Sequence, residues 1–215
     1  MDTGGFVPPA FTAEERERVT GLLLEAGLRL FTSQGLRKTS LDELVRPAGI
    51  AKSSFYAFFD SKEALYLELM FQRLPALREQ VMGALFAEDL DTAEVIRRYL
   101  RGALRVQRED PLYRRLFTHP DELAAVARRV PPERIEQARD ELVRPMVEFL
   151  ERRQRAGELI DADPAVVYGA LQCVLVVPLQ EDQLDPAVYP AALDLLVELV
   201  ASGLARPRGQ GKENE

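Results

Sequence analysis

Between Thr39 and Lys62 the side chains able to do chemistry are hydroxyls and amines: Thr39, Ser40, Lys52, Ser53, Ser54, Tyr56 and Lys62. A lysine ammonium can donate to guanine acceptors or to phosphate, and serine hydroxyls serve either role. Tyr56 can reach phosphate through its hydroxyl. Lys52, Ser53, Ser54 and Tyr56 are therefore candidates for base or backbone contact on a duplex. Thr39, Ser40 and Lys62 fall at expected helix N-termini, where free amides and the helix dipole favour phosphate oxygens. Their hydroxyls also suit helix capping, and the two roles are compatible. Arg37 and Lys38 are either an added screened attraction or plain surface charge.

The spacing around these residues predicts the elements that position them. Ser40 with Glu43 has the pattern of a capping box, so a helix begins near Leu41, with Leu41, Leu44 and Val45 on its apolar face. Ala48-Gly49-Ile50 follows as a tight turn. A second helix is expected over Lys52–Phe59, with Phe55 and Phe58 or Phe59 turned inward. Upstream, Thr12 with Glu15 forms another capping box, and Val19, Leu22, Leu23, Ala26 and Leu30 recur at helical spacing up to Gly35. Three helices result, the last two forming a helix-turn-helix whose second helix is presented to the major groove.

The run LFTSQGLRKTSLDELVRPAGIAKSSFYAFFDSKEAL resembles the DNA-binding region of the TetR family of bacterial transcriptional regulators. The likeness covers roughly the first third of the chain: the Gly-to-Thr-Ser spacing, the Ala-Gly-Ile turn, the Phe-Tyr-x-x-Phe core and the Ser-Lys-Glu-Ala-Leu start of the next helix. Two positions depart from the family pattern. Pro47 removes a backbone donor near the end of the first motif helix. Ala51 stands where the family usually has a capping Ser, a loss of about 1 kcal/mol.

The chain has 215 residues, 47% hydrophobic and 29% charged, the profile of a soluble globular protein with a sizeable core. Its net charge of −7 is unevenly spread. Between Arg29 and Lys62 the bases are Arg29, Arg37, Lys38, Arg46, Lys52 and Lys62, against Asp42, Glu43 and Asp60. The motif is locally positive, which is what a docking face requires. The single cysteine, Cys173, excludes an internal disulfide. No apolar run is expected to span a bilayer and no signal peptide is recognisable, so the expectation is cytoplasmic, with no membrane partner. No G-x-S-x-G, Walker loop, dinucleotide fingerprint or Cys/His pair is present, so neither enzyme activity nor a cofactor is expected. His119 is the only histidine, which argues against a metal site and reads first as a helix-end cap. Glu133, Glu136, Asp140 and Glu141 alternate with arginines as on a solvated helix face.

Beyond the motif, a helix is expected from about Ser61 towards Pro75. Asp110-Pro111, Asp163-Pro164 and Asp185-Pro186 are helix starts. Helices are expected over 92–108, 111–117, 121–129, 132–156, 164–179 and 186–202, and no alternating strand pattern is found. The fold class is all-α: an N-terminal three-helix helix-turn-helix DNA-binding domain joined to a helical-bundle ligand-binding and dimerisation domain. The expected organisation is a disordered arm over 1–11, the DNA-binding domain over 12–60, the helical domain over 61–204 and a disordered tail over 205–215.

Tyr99, Tyr113, Phe117, Met146, Phe149, Tyr168 and Gln172 are core residues or the lining of a cavity among the middle helices, and His119 lies in the same region. The TetR resemblance implies such a cavity, with a small apolar or amphipathic effector. Val167, Ala170, Leu171, Val174 and Leu175 form one apolar stripe; Ala192, Leu195, Leu196 and Leu199 form another. On composition these finish a core or pair with a second copy. The resemblance implies the second, since such regulators dimerise through their last two helices. It also implies a ligand-responsive transcriptional regulator, a repressor released from a palindromic double-stranded DNA operator by a small molecule. The competing expectation is a helical small-molecule or partner-binding protein that keeps a vestigial helix-turn-helix.

Overall fold

The computed structural model describes residues 11–87 and 89–206, and the contact pattern divides it into two compact units, one ending at Leu69 and the other beginning at Met70. The expected disordered arm and tail lie almost wholly outside the described residues. Among the described residues the protein is all-α, its one extended feature being a bridge between Leu159 and Ala205.

The first unit is built on α1 (Ala13–Lys38), whose start is the Thr12–Glu15 capping box: the Glu15 amide donates to Thr12 Oγ1 at 3.2 Å and the Thr12 amide donates to Glu15 Oε2 at 2.9 Å. Two backbone donors that a helix start leaves free are thereby satisfied. Val19, Leu23, Ala26, Leu30 and Phe31 are its buried face. The helical path breaks at Gly35 (φ 85°), as the spacing predicts. Next come α2 (Leu41–Val45), a six-residue 3-10 helix (Lys52–Ala57) and α3 (Lys62–Leu77), within which the division between units falls. Leu44, Phe55, Leu65 and Tyr66 join the α1 face as fully buried side chains.

In the second unit α4 (Thr92–Glu109) is the central helix, burying Val95, Ile96, Tyr99, Leu100 and Val106. It is followed by α5 (Pro111–Thr118), α6 (Pro120–Arg129), α7 (Pro132–Leu142), α8 (Arg144–Arg155), α9 (Pro164–Val176) and α10 (Tyr189–Leu204). Asp110 and Asp163 cap α5 and α9 ahead of their prolines, as expected from sequence. Three expectations are corrected. The single helix over 132–156 is two, broken at Val143; Pro145 has no N–H to donate back into the preceding turn. The helix foreseen from Pro186 begins at Tyr189, because Asp185 Oδ1 caps the Ala187 amide at 2.8 Å in a turn. Pro164–Gln183 is long and apolar enough, by composition alone, to cross a membrane, because the 3-10 segment Val177–Gln183 extends α9.

Two polar clusters fix this unit. Arg153 donates to Glu158 at 2.5 Å and to the Leu90 carbonyl at 3.0 Å, and Thr92 Oγ1 donates to the same carboxylate at 3.2 Å. Beside it the Ile160 amide donates to the Leu204 carbonyl and the Arg206 amide to the Glu158 carbonyl, each at 2.9 Å. On α10, Glu198 accepts from Arg97 at 2.8 Å and Arg101 at 3.0 Å, joining that helix to α4. By contrast α7 buries no side chain, in keeping with its interleaved charges.

Candidate nucleic-acid interface

The candidate interface is a frame of buried side chains carrying a few exposed donors. Ser40 caps α2: its amide and hydroxyl both donate to Glu43 Oε2 at 2.8 Å, and its oxygen accepts from the Glu43 amide at 3.3 Å. The Ser40 amide, then its hydroxyl, then Gln34 hold the Glu43 carboxyl below its ordinary pKa. α2 ends at Val45, two residues before Pro47, and the chain tightens through bonds from Ala48 to Val45 and Gly49 to Arg46. Gly49 takes φ 65° there, a left-handed backbone that only glycine adopts without cost.

The second motif helix is 3-10 rather than α-helical, and Ala51 at its start provides no side-chain cap. A short, uncapped helix leaves its amides to the tighter i→i+3 pattern. Phe55 anchors it, fully buried, with Tyr56 edge-on at 5.7 Å and Phe59 at 6.0 Å. Tyr56 itself is 58% exposed. Lys52 and Ser53 are exposed and Ser54 half-buried, so four candidate contact residues share this short helix. Lys52 Nζ pairs with Asp42 Oδ2 at 3.0 Å, an exposed bridge of small net value that an incoming phosphate can replace.

Two expected phosphate contacts are engaged elsewhere. Thr39 is only 1% exposed, and its hydroxyl donates to the Gly35 carbonyl at 2.8 Å. Lys62 Nζ donates to the carbonyls of Leu36 at 2.7 Å, Thr39 at 2.8 Å and Arg37 at 3.3 Å. Ser40 remains exposed at the start of α2. Sequence reasoning missed Arg16, which donates to the Ala57 carbonyl at 2.8 Å and lies 5.4 Å from the centre of the Phe58 ring. It also missed Gln34, which donates to Glu43 Oε1 at 3.2 Å. Neither carries a local signal, because each partner lies outside its own helical turn. Phe11, counted with the arm, packs edge-on to Phe58 at 5.0 Å.

In the second unit the expected cavity residues are mostly core. Tyr99, Tyr113, Met146 and Phe149 are no more than 4% exposed. The Tyr113 hydroxyl donates to the Met70 carbonyl at 3.3 Å. Burial raises the Tyr99 pKa, and its neighbour Tyr168, itself in contact with Gln172, adds to the rise. His119 caps α5 through its amide and meets the Thr118 hydroxyl at 2.7 Å. The Phe117 side chain lies outside the described part. A cleft of about 580 Å³ opens elsewhere, between α4, α5, the 3-10 segment Val177–Gln183 and α10, and none of the other seven expected residues lines it.

Of the expected dimer residues, Val167, Leu171, Val174 and Leu175 are buried within this chain, while Leu196 is half-buried. Ala170, Ala192, Leu195 and Leu199 are exposed, together with Val166, Cys173 and Val176. One face of α9 thus finishes the core and the other is left uncovered.

Residues 23–69 match the family model described as bacterial regulatory proteins, tetR family. The chain is 34% identical over 95 residues to the HTH-type transcriptional regulator RutR of Escherichia coli, covering 44% of each chain. It therefore spans less than half the length of that curated relative. The TetR family transcriptional regulator PfmR of Thermus thermophilus shares the fold at a TM-score of 0.60 and 23% identity, over 92% of this chain and 100% of that one. A TetR family transcription regulator of Marinobacter aquaeolei aligns at a TM-score of 0.63 and 15% identity, over 91% of this chain and 100% of that one.

Proposed function

We propose that this chain, whose N-terminal unit is a helix-turn-helix domain of the TetR family, is a dimeric transcriptional regulator. It binds a near-palindromic operator and releases it when a small molecule occupies the second unit. The observation that carries the reading is the 3-10 helix Lys52–Ala57. Phe55 is locked in the core, while Lys52, Ser53 and Tyr56 are displayed outward. Short donors on a rigid anchor suit base edges and phosphates.

A helix-turn-helix monomer reads one half-site, and a dimer reads two, about one or more turns of DNA apart. The uncovered apolar residues of α9 and α10 support a second copy as their cover. Release by ligand is then a population shift: the effector prefers the conformation whose motif helices are wrongly spaced, and it lowers operator affinity only by its own preference between states. Repression, rather than activation, is the direction we assign.

The test is fluorescence anisotropy of the protein on DNA from upstream of its own gene, against scrambled DNA, over a salt series. Selective binding with a steep salt dependence is expected. Tyr56→Ala and Lys52→Ala should each weaken it, by about tenfold or more where a base contact is lost, with melting unchanged. Unaltered affinity in both variants removes the 3-10 helix from the interface. Equal weak binding to both DNAs, with no consensus from genome-wide site selection, favours a binding protein with a vestigial motif.

A further inference from the structure

The cleft of about 580 Å³ between α4, α5, the segment Val177–Gln183 and α10 has the volume of a small-molecule site. Leu104, Leu179 and Leu193 give it an apolar lining. Its lining arginines number four and its carboxylates three, so no strong net field selects an ion. Gln107 is the exception among the lining residues. It is 4% exposed, and both its Nε2 and its Oε1 are buried without a hydrogen-bond partner. Its backbone is held, since Arg114 Nε donates to the Gln107 carbonyl at 3.2 Å.

A buried amide with both atoms unpaired is costly, and the cost is recovered when a partner supplies both a donor and an acceptor. A carboxylate offers only acceptors and would leave Oε1 unsatisfied. A protonated amine offers only donors and would leave Nε2 unsatisfied. We infer that this cleft is the effector site, and that it takes an uncharged amphipathic molecule with a primary or secondary amide, such as a carboxamide or lactam, seated on Gln107. The inference rests on the effector-responsive reading above and names the chemical class of that effector. Arg105, which has no partner among the described residues, stands on the same α4 wall, available to a second polar group of the ligand.

The probes are hexanamide, N,N-dimethylhexanamide, which lacks the N–H, and hexanoate, with thermal melting of the full chain as readout. Hexanamide should raise Tm by ~3–6 °C at about ten times its Kd, and the other two should not. Gln107→Leu should abolish that rise while melting no lower than the parent, since it removes the unpaired amide. Gln107→Met serves as the second variant should the branched side chain disturb packing. No shift with hexanamide, an equal shift with the dimethyl amide or hexanoate, or a shift retained in the Gln107 variants overturns the assignment. Operator anisotropy of the unliganded protein is run alongside. Operator binding without an amide response removes only the effector class; an amide response without operator binding removes the regulator reading and keeps the site.

Discussion

Lys62 Nζ lies 2.8 Å from the carbonyl oxygen of Thr39, the residue immediately before the Ser40 cap of α2. Together with its bonds to the Leu36 and Arg37 carbonyls, this uses all three ammonium protons on the backbone between α1 and α2. Lys62 therefore holds the backbone between α1 and α2 in place, so on the proposed reading its effect on operator binding is expected to be indirect.

Lys62→Met should lower Tm and weaken operator binding, while the slope of log K against log salt stays as in the parent. A direct phosphate contact would instead reduce that slope by about 1. A salt series on both proteins separates the two roles.

Glu15 and Glu43 both have depressed carboxyl pKa values, each chiefly because the amide of its cap residue donates to the ionised form. A folded-state value below the unfolded 4.5 stabilises the fold above that pH and is lost as pH falls through the folded value. Melting of the parent should therefore drop between roughly pH 5 and pH 3, and Glu15→Gln/Glu43→Gln should drop less over the same window. Parallel curves would remove the two caps as the source of acid sensitivity.

Gly102 on α4 lies so close to the π-helical turn Arg78–Met82 that a Cβ there would sit 2.6 Å from the Gln80 carbonyl oxygen and 3.2 Å from Val81 Cα. Gly102→Val should cost about 1–3 kcal/mol in urea unfolding, because a backbone neighbour cannot rotate aside. A neutral result would mean that the turn moves freely.

Leu195 and Leu199 are 59% and 62% exposed on one face of α10. Leu195→Glu/Leu199→Glu should convert a dimer to a monomer by light scattering and abolish tight operator binding while each chain keeps its helical content. A dimer that survives this change uses another surface.

Much of this was legible from local chemistry. The Thr12–Glu15 and Ser40–Glu43 boxes and the Asp110 and Asp163 caps depend on residues three or fewer apart, and periodicity found the buried face of α1. Stripe membership on α9 was harder. Its residues are apolar nearly all round, so periodicity could not tell Val167 and Leu171, which are buried, from Ala170, which is exposed. The roles of Lys62, Arg16 and Gln107 rest on partners distant in sequence or on a missing partner. A spacing rule sees neither. The break at Val143 was available in the Arg144-Pro145 dipeptide.

The bridge from Glu158–Ile160 to Leu204–Arg206 joins two segments made far apart in time during synthesis. The ribosome delivers the first strand-like segment well before the second, so the Ile160 amide and the Glu158 carbonyl meet these partners only after α10 has emerged. A pause in translation ahead of Leu204 would leave the apolar sides of α9 exposed on an unfinished unit, open to chaperones and to premature association. A reporter fused directly after Leu204 would remove the Arg206 bond to the Glu158 carbonyl while leaving α10 complete, whereas one joined beyond Arg206 would let the whole clasp close.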